Sequence, residues 1–408
     1  MSAIKKRLHD GFTRQKGLTM NEYLILALVC SVFVSVFLLS ALILLLPIYF
    51  IITKQIEKAL PKKKHEYAFL TFSILALLTT LIYSENAVVG DQVIRSVWLK
   101  LLGIGIIILV FDIFFFINIM TKRAFELGLV LSSVLSIISF IVAVVQKIFE
   151  IYPDPINRPG RVASIFFNEN YYSTVIEFVV IITLYLFFKS ENKKAKLFYG
   201  FVIAINIIGL YLSQCRTAYI AVVVSIIVFL LIHSNKKQIF GILFGILIIS
   251  LIIILCSGSA NIGISERFRI DTLVKDLDFR VGIWKTAFES IKEHLFLGRG
   301  YYSYGAIMNE VSSGTEFTAI HAHNLFIEVL MDFGMIGTAL VLAFFAFTVK
   351  SCIKRCLNSK RKTSLALIIS SVLSIIIHGM LDITIIFPQT GFFAVFLLTI
   401  PQMFDEKE

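Results

Sequence analysis

Apolar residues occur along the chain in long runs, and polar residues gather in the short stretches between them. The runs are about 17 to 25 residues long, enough for an α-helix to cross roughly 30 Å of hydrocarbon. Stretches such as Leu101–Phe111 do not alternate between polar and apolar positions, which excludes the strands of a membrane barrel. The pattern therefore predicts an all-α, polytopic transmembrane helix bundle.

The predicted single spans share an apolar run bounded by polar residues. They are Tyr67–Tyr83, Trp98–Met120, Phe125–Gln146, Ser173–Phe188, Leu197–Leu212, Thr217–His233, Gln238–Cys256, Leu325–Val349, Ser364–Met380 and Ile383–Ile400. Before them lies the uncharged run Tyr23–Ile52, which is long for one span and short for two. Its length alone leaves the number of crossings open.

Composition agrees with this class, since 58% of residues are hydrophobic, only 16% are charged and the mean hydropathy is +0.87. A soluble domain carries about 25% charged residues, so a soluble protein is excluded. The net charge of +11 does not indicate nucleic acid as a partner, because the basic residues fall mainly in short loops between spans. The five cysteines show neither a disulfide framework nor zinc spacing.

The positions of the basic residues predict the topology. The positive-inside rule places both the tail around Lys5–Lys16 and the loop Lys54–Lys64 in the cytoplasm, so Tyr23–Ile52 must cross twice as a hairpin. The remaining basic clusters then also lie inside: Lys122/Arg123, Lys189–Lys196, Lys236/Lys237 and Lys350–Lys362. This predicts about twelve helices with both termini cytoplasmic. Residues 1–20 are basic but lack a short apolar core followed by a small-residue cleavage site, so we expect no removable signal peptide.

We expect three parts: an N-terminal transmembrane bundle over 1–256, an extracytoplasmic loop over 257–323, and C-terminal transmembrane helices over 324–408. Within the long loop, apolar residues at spacings of three and four predict an amphipathic helix against the membrane surface or the top of the bundle. They are Val281, Trp284, Phe288, Ile291 and Leu295. A shorter outer loop runs from Lys147 to Tyr172.

The most informative string begins at His321-Ala-His-Asn324 and ends at Gly334-Met-Ile-Gly337. It resembles the signature of the O-antigen ligase and polysaccharide polymerase family: His-Asn, nine residues, Gly, two residues, Gly. The strings Ser213–Tyr219, Phe279–Trp284 and Gly298-Arg-Gly300 are similar to further family motifs. Phe167-Asn-Glu-Asn170 resembles the family's Asn-Pro-Asn motif but carries Glu169 in the middle position.

The resemblance implies a GT-C-like helix bundle in the bacterial inner membrane that acts at its outer, periplasmic face. It implies inverting, metal-independent transfer of a glycan from undecaprenyl diphosphate to a glycan or lipid acceptor, without a cofactor. The implied partners are the lipid-linked donor, the acceptor, membrane lipid, a flippase and a chain-length regulator. Nucleic acid is not among them.

Two arginines are candidates for holding the diphosphate, because a guanidinium is always charged and binds phosphate in bidentate fashion. Arg216 lies at the mouth between two spans, and Arg280 begins the predicted amphipathic helix. The family that this sequence resembles implies that arginines at these positions bind the diphosphate. The alternatives are that Arg216 reaches phospholipid phosphates and that Arg280 is a solvated helix-end charge.

His323 is the candidate general base, since a helix N-terminus disfavours imidazolium and a neutral ring can accept a hydroxyl proton. The resemblance implies that role, and the alternative is a histidine that merely caps a helix. Asn324 either orients His323 or caps the helix itself. His321 and His323 alternate, but no third ligand lies within sequence reach, so no metal site is predicted.

Further candidates for substrate contacts lie in both outer loops, and His321 and Asn324 at the end of the long loop are among them. Arg161 is a candidate glycan or diphosphate contact, whereas Asn170 is either a contact or the cap of the next span. Arg299 precedes Gly300, and Tyr301, Tyr302 and Tyr304 follow it. These tyrosines either stack on sugar rings or anchor the loop at the interface.

Several polar or special residues have plainer interpretations. Gly334 and Gly337 are expected to permit close helix packing, and Asp276-Leu-Asp278 is expected to be surface charge. His378 and Asp382 are four residues apart, so we expect them on one helix face, as a functional or a structural pair.

The patterns leave three classes of function open. A transporter should carry ionisable residues in the middle of its spans, and Asp112 and Glu177 are the clearest candidates for that position. A scaffold protein should show no cluster of histidine and arginine on one side of the membrane. The concentration of polar motifs outside the spans favours an enzyme. Between a polymerase and a ligase the sequence is nearly silent, and a polymerase of surface polysaccharide is the preferred hypothesis.

Overall fold

The structure is a computed structural model that describes residues 17–83, 86–89, 92–154, 160–233, 270–305, 321–359 and 361–400, with Gly241 and Gly245. The predicted span Gln238–Cys256 and the basic N-terminal tail lie largely outside these residues, as does the first part of the long loop. Because the described chain is almost entirely helical, the predicted all-α membrane bundle is confirmed.

The helices are numbered here in chain order over the described residues. They are α1 Met20–Val32, α2 Val36–Ile52, α3 Lys64–Tyr83, α4 Ser96–Ile119, α5 Lys122–Ile148, α6 Glu169–Lys189, α7 Lys193–Ser213, α8 Arg216–His233, α9 Ile270–Glu293, α10 Leu325–Asn358, α11 Lys362–Gly379 and α12 Pro388–Leu398. One antiparallel pair of short strands, β1 Ala87–Val89 and β2 Gln92–Ile94, joins α3 to α4 and was not predicted.

Among the described residues, 8 helices are long and apolar enough to cross a membrane: α3 to α8, α10 and α11. Each contains one of the predicted spans or overlaps almost all of it. The chain is therefore a multi-pass membrane protein. A long apolar run predicts a helix reliably in a membrane, because lipid offers no hydrogen bonds and a helix satisfies its own backbone groups.

The run Tyr23–Ile52 forms two helices, as the charge argument predicted. Ser35 caps the second helix by accepting the N–H of Phe37, and Asn21 bonds Tyr49 and Gln55 across the open end of the hairpin. The helices have 13 and 17 residues, so they extend about 20 Å and 26 Å. Both are shorter than the roughly 30 Å of a typical hydrocarbon core.

Helix α6 lies in the middle of the bundle. Its residues from Tyr171 to Leu186 are buried, with packing contacts from α7, α8, α11 and α12. Residues on α6 are therefore held in place from several sides.

The prediction of a single span over Ile383–Ile400 is wrong. A short 3-10 turn, Thr384–Ile386, precedes α12, and Pro388 begins the helix at a position where its missing N–H costs nothing. With 11 residues α12 extends only about 17 Å. It is packed into the bundle, where Phe393 contacts Phe33 and Phe396 stacks on Phe125.

The amphipathic helix of the long loop exists as α9, but its packed face differs from the prediction. Ile283, Ala287 and Ile291 are the buried apolar residues, together with half-buried Trp284, whereas Val281 and Phe288 are exposed. The helix therefore has two apolar faces. One packs against α10, and the other remains open.

Helix α10 is broken at Gly334, whose φ of 62° lies in the left-handed region. The backbone of Leu295–Gly300 runs beside the break and completes its hydrogen bonds: Gly300 donates to Asp332 over 2.8 Å, and Met335 donates to Leu295 over 2.8 Å. A Cβ at Gly334 would overlap the backbone of Phe296. The expected role of Gly334 in helix packing is therefore corrected, since it permits this break; Gly337 does pack, against Phe72.

The predicted basic loops that the structure describes lie at one end of the bundle, here called the basic end. Lys189, at the end of α6, pairs with Glu126 near the start of α5 over 2.6 Å. His233 and Thr363 join the end of α8 to the start of α11 over 3.0 Å. The loops at the other end, here called the site end, carry the candidate functional residues.

Candidate functional site

The turn before α10 places two histidines side by side. Asn324 caps the helix, since its Oδ1 accepts the N–H groups of Phe326 and Ile327 over 3.0 and 3.1 Å. Its Nδ2 donates to the carbonyl of Met380 over 2.9 Å, which ties the start of α10 to the end of α11. Of the two roles predicted for Asn324, the structure shows the cap.

His323 has a φ of 47°, an uncommon conformation for a residue with a side chain. Its backbone N–H donates to Nδ1 of His321 over 3.2 Å, and the two ring centroids lie 4.1 Å apart. Such backbone geometry persists only where the surroundings enforce it. The turn therefore presents both imidazoles together, and 27% of the His323 side chain is exposed.

Asp382 lies beside this turn, with Oδ1 3.7 Å from Nδ1 of His323. Its Oδ2 accepts the amide of Asn170 over 2.7 Å, and Oδ1 accepts the backbone N–H of Ile383 over 2.8 Å. Burial acts to raise the pKa of Asp382, but the neighbouring His323 outweighs it, and the pKa lies below its ordinary value. The carboxylate is thus a fixed anion next to His323.

The expectation that His378 and Asp382 share a helix face is wrong, because α11 ends at Gly379. His378 pairs with Glu177 of α6, with Nδ1 and Oε1 2.5 Å apart, and Ser374 donates to the other oxygen of Glu177. Glu177, a candidate for a transporter's mid-span charge, is therefore paired. Within the described residues, the carboxyl oxygens of Asp112 have no hydrogen-bond partner.

Arg161 organises the shorter loop from a buried position. Its Nη1 lies 2.5 Å from Glu169, Nη2 donates to Asn170 over 3.0 Å, and Nε donates to the carbonyl of Ser213 over 3.1 Å. Only 7% of its side chain is exposed. The guanidinium therefore binds groups of the protein itself in this structure. Glu169, the departure from the family motif, is the residue that balances its charge.

Asn170 likewise bridges Arg161 and Asp382. The expected alternative, that Asn170 caps α6, is corrected: Asn168 is the cap and accepts the N–H groups of Asn170 and Tyr171. The chain Arg161–Asn170–Asp382 therefore leads from a buried cation to the carboxylate beside His323.

Arg216 begins α8 and forms an ion pair with Asp276 of α9. The preceding Gln214 has a φ of 53°, which closes the turn between α7 and α8. Asp276 was expected to be surface charge alone; this is corrected, since it connects the two helices. Asp278 is exposed.

Helix α9 brings Arg216 and the histidine turn to the same region. Asp276, Arg280 and Trp284 follow one another at four-residue steps, so they share a face at intervals of about 6 Å. Trp284 Nε1 donates to the carbonyl of Ala322 over 2.9 Å. Half-buried Arg280 therefore lies between the Arg216 contact and the turn that carries His323, along about 12 Å of helix.

Two acidic residues of α10 hold the loops on either side of the site. Asp332 accepts the backbone N–H groups of Tyr302 and Ser303 over 3.2 and 3.1 Å. Glu328, one turn earlier, accepts the N–H of Ala322 over 2.6 Å. Sequence reasoning missed both carboxylates, although ionisable residues near the start of a span were an available signal.

Arg299 and Tyr302 lie in the segment held by Asp332. Arg299 is half-buried, and its backbone N–H donates to Met331 over 3.2 Å. Tyr302 is half-buried with a φ of 64°. Burial and the adjacent Glu328 and Asp332 raise the pKa of Tyr302, so it remains a neutral hydroxyl group.

His321, His323 and Asp382 together present one donor atom each, all within 4.8 Å of one another. Burial, reinforced by His323, lowers the pKa of His321 to about 4, with Asp382 opposing the shift. The ring of His321 is therefore neutral near pH 7. The sequence offered no third ligand for the two histidines, whereas the fold brings Asp382 to them from beyond α11.

The fold and the site define a multi-pass helical membrane protein with histidine, arginine and carboxylate side chains gathered at one end of its spans. Residues 201–342 match the family model described as O-antigen ligase, so this part of the chain is similar to that family, as its motifs predicted. No curated protein matches the chain. The matched residues include Arg216, Arg280 and His323, but Arg161, Asn170 and Asp382 lie outside them.

Proposed function

We propose that the protein polymerises undecaprenyl diphosphate-linked oligosaccharide units into surface polysaccharide, at the outer face of the bacterial inner membrane. The observation that carries the proposal is the single face of α9 that joins the Arg216 contact, Arg280 and the His323 turn. A polyprenyl diphosphate needs cations beside its headgroup, and an acceptor hydroxyl needs a base. This region supplies both.

In the proposed reaction, the acceptor hydroxyl oxygen attacks the anomeric carbon while the bond from that carbon to the diphosphate oxygen breaks. The hydroxyl proton passes to the imidazole of His323, and the diphosphate leaves on its lipid with its charge stabilised by Arg216 and Arg280. A single displacement inverts the anomeric configuration. No cofactor or metal takes part in these steps.

Asp382 serves this reaction by position and charge. Its carboxylate lies 3.7 Å from His323 Nδ1 and favours the imidazolium that forms when the ring accepts a proton. Asn170 fixes the carboxylate, and Arg161 fixes Asn170. Arg161 and Asn170 thus act through Asp382, while Arg299, Tyr302 and His321 remain candidates for contacts with the glycan or headgroup.

A ligase that transfers finished polymer to another acceptor is the second candidate, and it is favoured by the description of the matching family model. Both chemistries use the same donor site and differ in the hydroxyl that arrives. The envelope glycan of a deletion strain separates them. Single capped repeat units indicate a lost polymerase, whereas full-length lipid-linked polymer without transfer indicates a lost ligase.

Complementation of that strain tests the site. We expect His323→Ala and Arg280→Ala each to lower glycan transfer by about 100-fold or more, the usual scale of a lost general base or charge clamp. His294→Ala is the matched control, because this histidine directly follows α9 and its ring lies beside that of Tyr83. Its product should match the wild type.

Expression and monodispersity of each purified variant show whether it is folded. Wild-type glycan from a folded His323→Ala or Arg280→Ala variant would overturn the proposed mechanism. Loss of product by all three variants equally would point to a structural effect instead.

A further inference from the structure

We propose that His321, His323 and Asp382 form a binding site for one divalent transition-metal ion of the zinc class. Two imidazoles and one carboxylate, with a fourth position left to water, are a ligand set that zinc commonly takes in proteins. All three donor atoms already lie within 4.8 Å of one another. The proposal concerns binding and does not depend on the proposed reaction.

The separation between His323 and Asp382 supports an ion between them. Zinc lies about 2.0 to 2.2 Å from nitrogen and oxygen ligands, so two ligands of a tetrahedral site are about 3.4 Å apart. Nδ1 of His323 and Oδ1 of Asp382 are separated by 3.7 Å. That distance is longer than an ordinary N–H···O hydrogen bond and close to the edge of a metal tetrahedron.

The surroundings of Asp382 resemble the support that metal-binding carboxylates usually have. Asn170 and the backbone N–H of Ile383 fix both of its oxygens, and Arg161 fixes Asn170 in turn. Such outer contacts orient a ligand before the ion arrives. Asp382 is therefore the fixed member of the set.

The two histidines supply the movement that closure requires. Both are only half-buried and lie in the turn before α10. Small changes in their side-chain torsion angles can therefore bring the ring nitrogens closer to the carboxylate of Asp382. Binding at His321 displaces at most the 3.2 Å contact between its Nδ1 and the backbone N–H of His323. One neutral hydrogen bond is weak beside metal–nitrogen bonds.

The experiment measures metal binding by the full-length protein, freed of any affinity tag and held in detergent micelles or nanodiscs. Equilibrium dialysis against Zn²⁺ followed by metal analysis gives the stoichiometry, and Co²⁺ reports coordination geometry through its visible absorption. We expect one Zn²⁺ per chain and the intense bands of four-coordinate Co²⁺. Absence of these bands together with no retained Zn²⁺ would overturn the site.

Substitutions locate the ion. His321→Asn and Asp382→Asn each remove one proposed ligand and should each weaken binding by at least about tenfold, since even outer contacts contribute that much. His294→Ala is the matched control and should retain the wild-type affinity. Asn170→Ala, which removes the side chain that joins Asp382 to Arg161, should weaken binding to a smaller extent. Unchanged affinity in both His321→Asn and Asp382→Asn would also overturn the proposal.

One consequence does rest on the proposed function. An ion bound to His323 occupies the imidazole that would accept the hydroxyl proton, so saturating Zn²⁺ should abolish glycan transfer and a chelator should restore it. Full transfer at saturating Zn²⁺ would contradict this consequence while leaving the dialysis result intact. Failure of the His323→Ala complementation test would affect the proposed reaction without affecting the measured metal site.

Discussion

Arg161 shows how a single buried charge holds the loops of the site together. Its guanidinium contacts Glu169 at the start of α6, Asn170 beside it and the carbonyl of Ser213 at the end of α7. A buried ion pair does not need to be a strong net contributor to stability. Removal of one partner is costly, however, because the other charge stays buried and loses this counter-charge.

The first prediction compares this buried pair with an exposed one. Arg161→Ala should lower the free energy of unfolding by about 3 to 5 kcal/mol, because Glu169 loses its buried partner. Lys189→Ala, which breaks the exposed pair with Glu126, should cost only about 0 to 1 kcal/mol. Unfolding in mixed micelles with increasing dodecyl sulfate measures both. Equal losses would contradict the organising role of Arg161.

The same scale shows what local sequence reveals about the site. Asn324 was predicted as a possible cap because it precedes an apolar helix, and capping depends only on adjacent residues. The partnership of Asn170 with Asp382 joins positions 212 residues apart and has no local signal. Glu169 appeared as a departure from a motif, whereas it is the counter-charge of Arg161.

At the scale of elements, the break in α10 explains why the Gly298–Gly300 segment and Gly334 occur together. The backbones of the two segments approach so closely that a Cβ on Gly298 would overlap Asp332, and a Cβ on Gly334 would overlap Phe296. Both glycines also have positive φ angles. This contact fixes the start of the segment that carries Arg299 and Tyr302.

The second prediction follows from that contact. Gly334→Ala should destabilise the protein by more than about 3 kcal/mol, because the side chain meets backbone atoms and the residue is strained. Gly282→Ala is the control: this glycine lies within α9 with no neighbouring heavy atom within 4 Å. Alanine there should stabilise by about 0.5 to 1 kcal/mol. The same unfolding assay distinguishes them, and similar stabilities would contradict the described break.

Helix existence was predictable, but the ends and faces of some helices were not. The runs over α3 to α8, α10 and α11 are long enough for lipid to dictate a helix. Ile383–Ile400 has the same composition, yet it is divided by a turn before Pro388 and packs inside the bundle. The spacing in α9 identified a helix, but two apolar faces were available and α10 selected the one with Ala287.

At the scale of the whole molecule, the basic loops and the candidate site occupy opposite ends of the bundle. Lys189 and Glu126 pair at the basic end, and Asp382 and His323 lie near each other at the site end. Under the positive-inside rule, we expect the basic end to face the cytoplasm. The candidate site is then expected to face outward, where the proposed reaction uses lipid-linked glycans.

The third prediction tests this orientation with single cysteines in a variant whose five native cysteines are replaced by alanine. Phe167→Cys lies at the site end, at a position that is 75% exposed. Glu191→Cys is the matched exposed position at the basic end. A membrane-impermeant maleimide should label Phe167→Cys in intact cells and Glu191→Cys only after lysis. The opposite pattern would place the site in the cytoplasm.

The sequence by itself determined that this chain is a helical membrane protein, where most of its spans lie, and which end of them carries arginine and histidine. Those properties depend on neighbouring residues, through the cost of exposing backbone to lipid and the preference for basic loops on one side. Only the tertiary structure decided that Asp382 meets His323, that Asp276 meets Arg216 and that α10 breaks beside Gly298. Such pairings depend on how distant helices pack, and apolar periodicity does not specify which helix ends become neighbours.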